Sequence, residues 1–156
     1  DGEGYFLSGD AVRLADPADP NAGIIFDGRI AEDFKLSTGT WVSVGALRVA
    51  VIAACGADVG DVVIAGHDRH AIGVLVFARP GTTADTLRAG LARHNAANPA
   101  SSTRIARALI LDTPPDVDAG EITDKGYLNQ RRILERRADQ VARLFADPPG
   151  PGVLVL

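Results

Sequence analysis

Two groups of side chains are of types that bind metal ions. His67 and His70 lie close together in His67-Asp68-Arg69-His70, but the sequence offers no third ligand beside them. The acidic run from Asp116 to Glu121 faintly resembles a calcium loop, yet its spacing departs from the EF-hand pattern. We interpret the first group as a polar turn between strands and the second as a loop, and we predict no metal site.

Other generic signs of chemistry are weak. Cys55 is the single cysteine and has no evident histidine partner, so we interpret it as a small buried side chain. His94 falls within a predicted helix and is most simply structural. The sequence has no glycine-rich phosphate loop with its lysine, no dinucleotide fingerprint and no HExxH pair.

Three further stretches follow one another in a characteristic order. They are Phe6-Leu7-Ser8-Gly9-Asp10, then Gly28-Arg29-Ile30-Ala31-Glu32-Asp33-Phe34-Lys35 with Gly39 and Val42 after it, and finally Gly120-Glu121-Ile122-Thr123-Asp124-Lys125. Together they resemble the Ser/Thr-Gly-Asp motif, the Gly-Arg hinge motif and the C-terminal lysine loop of acyl-adenylate-forming enzymes. Within that superfamily, residues 26–45 and 120–130 are most similar to feruloyl-CoA synthetases.

The resemblance implies a two-step reaction. A carboxylate reacts with ATP to give an acyl-adenylate and pyrophosphate, and the sulfur of CoA then displaces AMP. The expected cofactors are ATP, CoA and Mg²⁺, bound mainly by a larger N-terminal domain of the same protein, and the expected substrate is a small carboxylic acid such as ferulate. We therefore predict that this chain is inactive by itself.

The resemblance also assigns roles to five residues. Asp10 would hold the ribose hydroxyls, and Arg29 would reach the ribose and the α-phosphate with its planar guanidinium. Lys35 and Gly39 would act in the thioester-forming conformation, in which Gly39 lies near the pantetheine channel. Lys125 would be the catalytic lysine that bridges the substrate carboxylate and the α-phosphate. Each residue also has an ordinary structural interpretation: a turn aspartate for Asp10, a surface ion pair for Arg29, a strand-edge lysine for Lys35, a hairpin glycine for Gly39 and a solvated loop lysine for Lys125.

The sequence departs from the family pattern at two positions. The hinge position that usually carries Asp or Lys holds Ala31, with Glu32 and Asp33 after it. The residue after Gly120 is Glu121 rather than lysine, and Lys125 follows further along a glycine-flanked loop. The first departure leaves the pivot residue open, and the second makes Lys125 the candidate.

The pattern of apolar residues predicts a small α+β fold: a lid domain with a short β-hairpin and a small sheet flanked by helices, after a short β-rich segment. The β-rich segment is too small to bury both of its faces. The predicted elements are strands before residue 29, a hairpin over 34–42, a helix over 44–54, strands over 62–65 and 72–77, a helix over 83–97 and a strand over 106–111.

Two predicted helices have explicit patterns. For the helix over 83–97, Thr82 and Asp85 suggest a capping box, and Leu87 and Leu91 form its buried face. The last helix is predicted over 127–146, where an apolar stripe recurs at helical spacing and five arginines mostly face solvent. The stripe is Leu134, Ala138, Val141 and Phe145, and the arginines are Arg131, Arg132, Arg136, Arg137 and Arg143.

By the same resemblance, residues 1–29 would be the end of the large N-terminal adenylation domain, residues 30–33 the hinge and residues 34–156 the C-terminal lid. The chain starts at Asp1 and contains no methionine, so we expect its N-terminal boundary to differ from a native start. Three alternatives remain open: another aryl- or fatty-acyl-CoA ligase, an adenylation module that loads a carrier protein, and a non-catalytic α+β binding module.

Composition narrows the class of protein. The chain has 156 residues, 46% of them hydrophobic, enough for one domain with an aliphatic core. Its formal net charge of -4 gives no reason to expect nucleic acid or an anionic membrane surface as a partner. The sequence contains no apolar run of the roughly 20 residues that span a bilayer. The expected location is the cytoplasm.

Overall fold

The computed structural model of the chain describes residues 2, 4 and 8–156, except for the side chains at positions 27 and 28. Within this part of the chain the fold is α+β, as predicted. The strands are β1 (Asp10–Asp16), β2 (Asp19–Arg29), β3 (Phe34–Lys35), β4 (Trp41–Val42), β5 (Val59–Ala65), β6 (Ile72–Ala78), β7 (Ile105–Ile110) and β8 (Val153–Val155). The helices are α1 (Val44–Cys55), α2 (Ala84–Ala97), α3 (Gln130–Arg136) and α4 (Ala138–Phe145).

A long antiparallel hairpin, β1–β2, comes first. Side chains alternate across a strand, so Val12 pairs with Phe26 and Leu14 with Ile24 on one face of the hairpin. These four side chains are exposed by 53%, 62%, 40% and 66%, respectively. This agrees with the prediction that the segment cannot cover both of its faces.

A four-stranded sheet, in the order β5-β6-β7-β8, is the centre of the fold. β6 pairs antiparallel with β5 and parallel with β7, and β8 pairs antiparallel with β7. Both faces of the sheet are covered. Val62, Ile64 and Val74 face the core under α1 and α2, whereas Val63 and Leu75 face the core under α3 and α4.

Helices α1 and α2 confirm their predicted buried faces, because Leu47, Leu87 and Leu91 are at most 3% exposed. The predicted cap of α2 is wrong by one residue. The capping box joins Thr83 and Thr86, whose side chains each accept a hydrogen bond from the other's backbone N–H. Thr82 is unsuited to the role, because its hydroxyl already donates to the Asp58 carbonyl at 2.6 Å.

The predicted last helix is two helices, α3 and α4, separated at Arg137. The backbone there has φ -101° and ψ 34°, which is not helical. Arg137 was expected to face solvent and is instead 8% exposed, because its guanidinium bonds to buried acceptors. The predicted stripe is also wrong in part: Ala138 is exposed, whereas Ile133 and Leu144 are fully buried.

The C-terminal residues, whose structure we did not predict, form β8 at the edge of the sheet beside β7. The loop between β5 and β6 is the polar turn that His67 and His70 were expected to form. Among the described residues, no helix is both long and apolar enough to cross a membrane.

Candidate functional site

A cleft of about 790 Å³ opens between the end of β2, the outer side of α1 and the loop before α3. That volume is in the range of small-molecule sites. Arg29 and Lys125, which lie far apart in the sequence, both line it. Phe26, Val49 and Ile52 supply an apolar wall. The cleft therefore combines two cationic side chains with an apolar surface, an arrangement suited to an anion that carries an apolar group.

Lys125 lies at the tip of a small hairpin. Ile122 and Leu128 form a β-bridge, and the Thr123 N–H donates to the Tyr127 carbonyl at 2.8 Å. The three-residue loop between Thr123 and Tyr127 ends at Gly126, whose φ of +81° is a conformation that glycine adopts without strain. This hairpin holds the Lys125 backbone in a defined turn and leaves its side chain exposed beside the cleft.

Arg29 is placed by the β1–β2 hairpin. It is the last residue of β2 and its backbone pairs with Asp10, the first residue of β1. Asp10 is half-buried, and its N–H donates to the Ser8 hydroxyl at 3.2 Å. Asp10 and Arg29 are thus neighbours in the sheet, although only Arg29 lines the cleft. The Phe6-Leu7 part of the motif before Asp10 lies outside the described residues.

The sequence did not single out Arg48, which also lines the cleft. Its guanidinium makes a two-bond pair with Asp61 on β5, with Nε donating to Oδ1 at 2.7 Å and Nη2 to Oδ2. Asp61 thus neutralises the Arg48 guanidinium and takes bonds from its Nε and Nη2, so Arg29 and Lys125 remain the cations better placed for a ligand. Helical periodicity could place Arg48 beside the buried stripe of α1 but could not predict its partner on β5.

Glu32 is an acidic group that lines the same cleft as these cations. It belongs to a 3-10 turn, Ile30–Glu32, and lines the cleft with Arg29. Burial raises the pKa of the Glu32 carboxyl, whereas Arg29 and Arg48 oppose this shift. The Glu32 carboxylate is therefore poorly solvated at the edge of the cleft.

The segment after this turn is fixed to the start of α1. Asp33 accepts a hydrogen bond from the Val44 N–H at 2.9 Å, which satisfies one of the free donors at the N-terminus of α1. Residues 30–32 therefore lie between Arg29, held by the hairpin, and Asp33, held by α1. Ala31, in the slot where the hinge was predicted, lies at the centre of this connection.

Lys35 and Gly39 lie together in the β3–β4 hairpin and are not lining residues of the cleft. The Lys35 ammonium is 5.8 Å from the centre of the Trp41 ring, within cation–π range. Gly39 has a φ of +83°, and open space surrounds the position that a Cβ would occupy. Four of the five predicted site residues thus form two groups, Arg29 with Lys125 at the cleft and Lys35 with Gly39 at the hairpin, while Asp10 pairs with Arg29 in the β1–β2 hairpin.

An ion pair that sequence analysis missed supports the base of the Lys125 hairpin. Arg137 Nε and Nη2 donate to Glu121 Oε1 and Oε2 at 3.0 and 2.7 Å, and the Asp116 N–H donates to Glu121 Oε2 at 2.8 Å. These bonds lower the pKa of Glu121 to about 2, with the Arg137 hydrogen bond as the largest cause. Glu121 therefore belongs to an internal ion pair and is not a free ligand for a cation.

The remaining candidates have structural surroundings. Cys55 is buried, as predicted, and burial raises the pKa of its thiol. His94 is buried, as expected of a structural side chain, and its Nε2 lies 2.8 Å from the Thr103 carbonyl. Among the residues that the structure describes, no group of three His, Cys, Asp or Glu side chains could hold a metal ion.

Comparison with known proteins identifies the family. Residues 35–148 match the family described as the AMP-binding enzyme C-terminal domain. The chain belongs to this family. A search of the curated proteins finds no match. The matched residues include α1, strands β5 to β7 of the central sheet and the Lys125 hairpin, whereas Arg29 and the β1–β2 hairpin precede them and β8 follows them.

Solved structures show the same fold. The adenylation domain of a carboxylic acid reductase from Segniliparus rugosus, bound to AMP and a carboxylic acid, has a TM-score of 0.77 at 19% identity over 95% of this chain and 24% of that chain. A coronafacic acid ligase from Pectobacterium brasiliense has a TM-score of 0.60 at 18% identity over 97% and 26%. An anthranilate CoA ligase bound to anthranoyl-AMP has a TM-score of 0.62 at 18% identity over 86% and 24%. The chain spans about a quarter of the length of these structures.

Proposed function

We propose that this C-terminal domain is the mobile lid of an ATP-dependent acid–CoA ligase. The parent enzyme would convert a carboxylic acid, ferulate or another hydroxycinnamate, to its acyl-adenylate and then to its CoA thioester. The observation that carries the proposal is the cleft that Arg29 and Lys125 share. The short connection 30–32 joins the β1–β2 hairpin, which holds Arg29, to the rest of the chain, which holds Lys125. The domain alone would not turn over substrate, because the acyl pocket and most ATP contacts would lie in the N-terminal domain.

The contacts around the connection support a division of the chain into three parts. We assign residues 1–29 to the end of the N-terminal domain, residues 30–33 to the hinge and residues 34–156 to the lid. The hydrogen bond from Val44 to Asp33 supports Asp33 as the point where the hinge joins the lid. A rotation between two working positions needs only a few such residues to absorb the change in dihedral angles.

In the first half-reaction, a carboxylate must approach a polyphosphate, and cations must offset the charge that develops between them. Lys125 would place its ammonium between the carboxylate oxygen and the α-phosphate as a compact point charge. Arg29 would hold the α-phosphate and ribose with its guanidinium, and Asp10 would accept hydrogen bonds from the ribose hydroxyls. The exposed Lys125 side chain and the placement of Arg29 in the same cleft support these roles.

In the second half-reaction, the lid would rotate so that the β3–β4 hairpin replaces the Lys125 hairpin at the reaction centre. Gly39 would then let the pantetheine arm of CoA pass close to the backbone, since it has no side chain. Lys35 would face the same centre. The open space beside Gly39 and the nearness of Lys35 to Trp41 support a shared role for this hairpin.

The described residues do not form a magnesium site. Glu32 and Asp124 are the carboxylates that line the cleft, and no cluster of ligands accompanies them in the described part of the chain. Magnesium is commonly bound through substrate phosphates with few protein carboxylates. We therefore assign no magnesium ligand to this chain and derive no step from the ion.

A second candidate is an adenylation domain that passes its acyl group to a carrier-bound thiol rather than to CoA. The similarity to the reductase adenylation domain, with a TM-score of 0.77 compared with 0.60 and 0.62 for the two ligases above, favours it. The two candidates share the adenylation step and the role of Lys125. They differ in the thiol that the acyl-adenylate meets.

The test is Lys125→Ala in the intact protein. We expect acid-dependent pyrophosphate exchange to fall by at least a hundredfold, because the charge that bridges carboxylate and phosphate is lost. Thioester formation from supplied feruloyl-adenylate should stay within a few-fold of the parent rate. Lys35→Ala is the matched control, since it removes the other lysine of this chain and should impair the thioester step more than adenylation.

Three results would contradict parts of the proposal. Unchanged exchange in Lys125→Ala would overturn the assignment of that lysine. Transfer to a carrier-bound thiol and not to CoA would select the second candidate. An intact protein that adenylates none of a panel of aryl and fatty acids would overturn the enzymatic function itself.

A further inference from the structure

The loop that carries Lys125 has few contacts of its own. Asp124, Lys125, Gly126 and Tyr127 are exposed, and Tyr127 is 67% exposed. A catalytic ammonium on such a loop must still be held close to one position, because a displacement of about 1 Å is enough to cost a hundredfold in rate. The anchors of the loop must therefore lie at its two ends.

The end before the loop is anchored by Glu121, which the paired Arg137 holds in the interior. The end after the loop is anchored by Gln130, the first residue of α3, which is 3% exposed. Gln130 Nε2 donates to the Ile64 carbonyl at 2.7 Å, and Gln130 Oε1 accepts from the Ile64 N–H at 3.2 Å. One amide side chain thus bonds both polar groups of a single backbone residue.

The position of Ile64 explains why this contact is available. Ile64 belongs to β5, which in the described part of the chain is an edge strand of the central sheet with β6 as its neighbour. The backbone N–H and C=O on the outer side of an edge strand need partners when they are buried. Gln130 takes the place of one residue of a further strand, and this links the Lys125 hairpin to the central sheet.

We propose that Gln130 is a positioning residue for Lys125: its two hydrogen bonds to Ile64 fix the C-terminal end of the lysine hairpin on the edge of β5. This inference rests on the proposed function, in which Lys125 acts in adenylation. Gln130 itself does not line the cleft, so it would act through the backbone of the loop and not by contact with substrate.

The chain provides a matched control. Asn95 Nδ2 donates to the Ile105 carbonyl at 2.7 Å, and Asn95 Oδ1 accepts from the Ile105 N–H at 2.8 Å. The pattern is the same pair of bonds from one amide to one strand residue, on α2 and β7. Asn95 anchors no part of the lysine hairpin, so loss of its bonds should perturb the sheet without moving Lys125.

The experiment compares Gln130→Met with Asn95→Leu in the intact protein, each a replacement of similar size that removes both bonds. We expect Gln130→Met to lower acid-dependent pyrophosphate exchange ten- to a hundredfold and to leave thioester formation from supplied feruloyl-adenylate within a few-fold. Asn95→Leu should change neither half-reaction by more than a few-fold. Backbone hydrogen exchange at Thr123, Gly126 and Asn129 should be at least tenfold faster in Gln130→Met alone.

The outcomes separate this inference from the proposed function. If both variants slow adenylation and thioester formation equally, Gln130 is merely structural and the inference fails. If hydrogen exchange in the hairpin is unchanged in Gln130→Met, the inference also fails. If Lys125→Ala leaves adenylation intact while the hairpin of Gln130→Met exchanges faster, Gln130 positions the loop but the assigned role of Lys125 is wrong. Should Gln130→Met not fold, Gln130→Glu, which keeps the acceptor for the Ile64 N–H, replaces it with the same criteria.

Discussion

At the scale of single residues, Arg137 shows how a charge can be placed in the interior. Its five guanidinium donors reach five acceptors, on Glu121, Thr113 and the Pro114 carbonyl, at 2.7 to 3.1 Å. Its guanidinium also lies 5.0 Å from the centre of the Phe77 ring. A buried ion pair of this kind costs desolvation, and removal of one partner is more damaging than replacement of both.

We predict that Glu121→Gln destabilises the chain at neutral pH by about 3 kcal/mol, because Arg137 keeps its charge and loses its counterion. The pKa of Glu121 is about 2 in the folded chain and about 4.5 in its ordinary state. This contribution to the free energy of unfolding is therefore complete above about pH 5. It is lost as pH falls from about 4.5 through about 2.

Urea unfolding of the chain at pH 7 and pH 3 measures this effect. The parent should lose more stability between these values than Glu121→Gln does. Glu135→Gln is the control, because Glu135 pairs with Arg131 on the exposed side of α3 and such pairs are worth less than about 1 kcal/mol. If the free energy of unfolding depended equally on pH in the parent and in Glu121→Gln, the Glu121–Arg137 ion pair would not be the source of the effect.

At the scale of elements, α1 and α2 approach each other closely at Gly90. A Cβ on Gly90 would lie 2.9 Å from the Cα and Sγ of Cys55, closer than real Cβ contacts. The glycine is therefore required by helix packing, and not by its own backbone conformation.

We predict that Gly90→Ala destabilises the chain by roughly 1–3 kcal/mol, because overpacking outweighs the helix propensity that alanine adds. Ala92→Gly is the control on the exposed side of the same helix and should cost about 1 kcal/mol by propensity alone. Thermal unfolding of both variants is the measurement. If Gly90→Ala instead raised the free energy of unfolding, α1 and α2 would be able to move apart at this contact without loss of stability.

Periodicity predicted the elements better than the contacts between them. The buried stripes of α1 and α2 followed from local spacing, and so did the hairpin around Gly39. The break between α3 and α4 did not, because the apolar spacing continues through Arg137 and gives no sign of the partner that Arg137 has there, Glu121, sixteen residues away. The meeting of Arg29 with Lys125 at one cleft is likewise a product of tertiary structure, although the motifs themselves pointed to both residues.

At the scale of the whole molecule, the β1–β2 hairpin differs from the rest of the chain. The central sheet is covered by helices on both faces, whereas the hairpin face of Val12, Leu14, Ile24 and Phe26 is exposed. An exposed apolar patch of this kind marks an interaction surface. If residues 1–29 belong to a larger domain, that domain should cover this face.

We predict that Ile24→Thr changes the stability of the isolated chain by less than about 0.5 kcal/mol and destabilises the intact protein by about 1–2 kcal/mol. Thermal unfolding of both forms provides the comparison. Val117→Thr, at a loop residue that is 65% exposed, is the control and should be neutral in each. An equally small effect of Ile24→Thr in both forms would mean that the hairpin face stays uncovered.

The contact between Lys35 and Trp41 has an optical consequence. Trp41 is the only tryptophan of the sequence, it is 49% exposed, and a cation stands over its ring. Indole emission depends on the polarity and charge of its surroundings. In this chain all tryptophan fluorescence therefore originates from the β3–β4 hairpin. A change in emission wavelength on adding nucleotide or thiol would report on the environment of that hairpin without any attached dye.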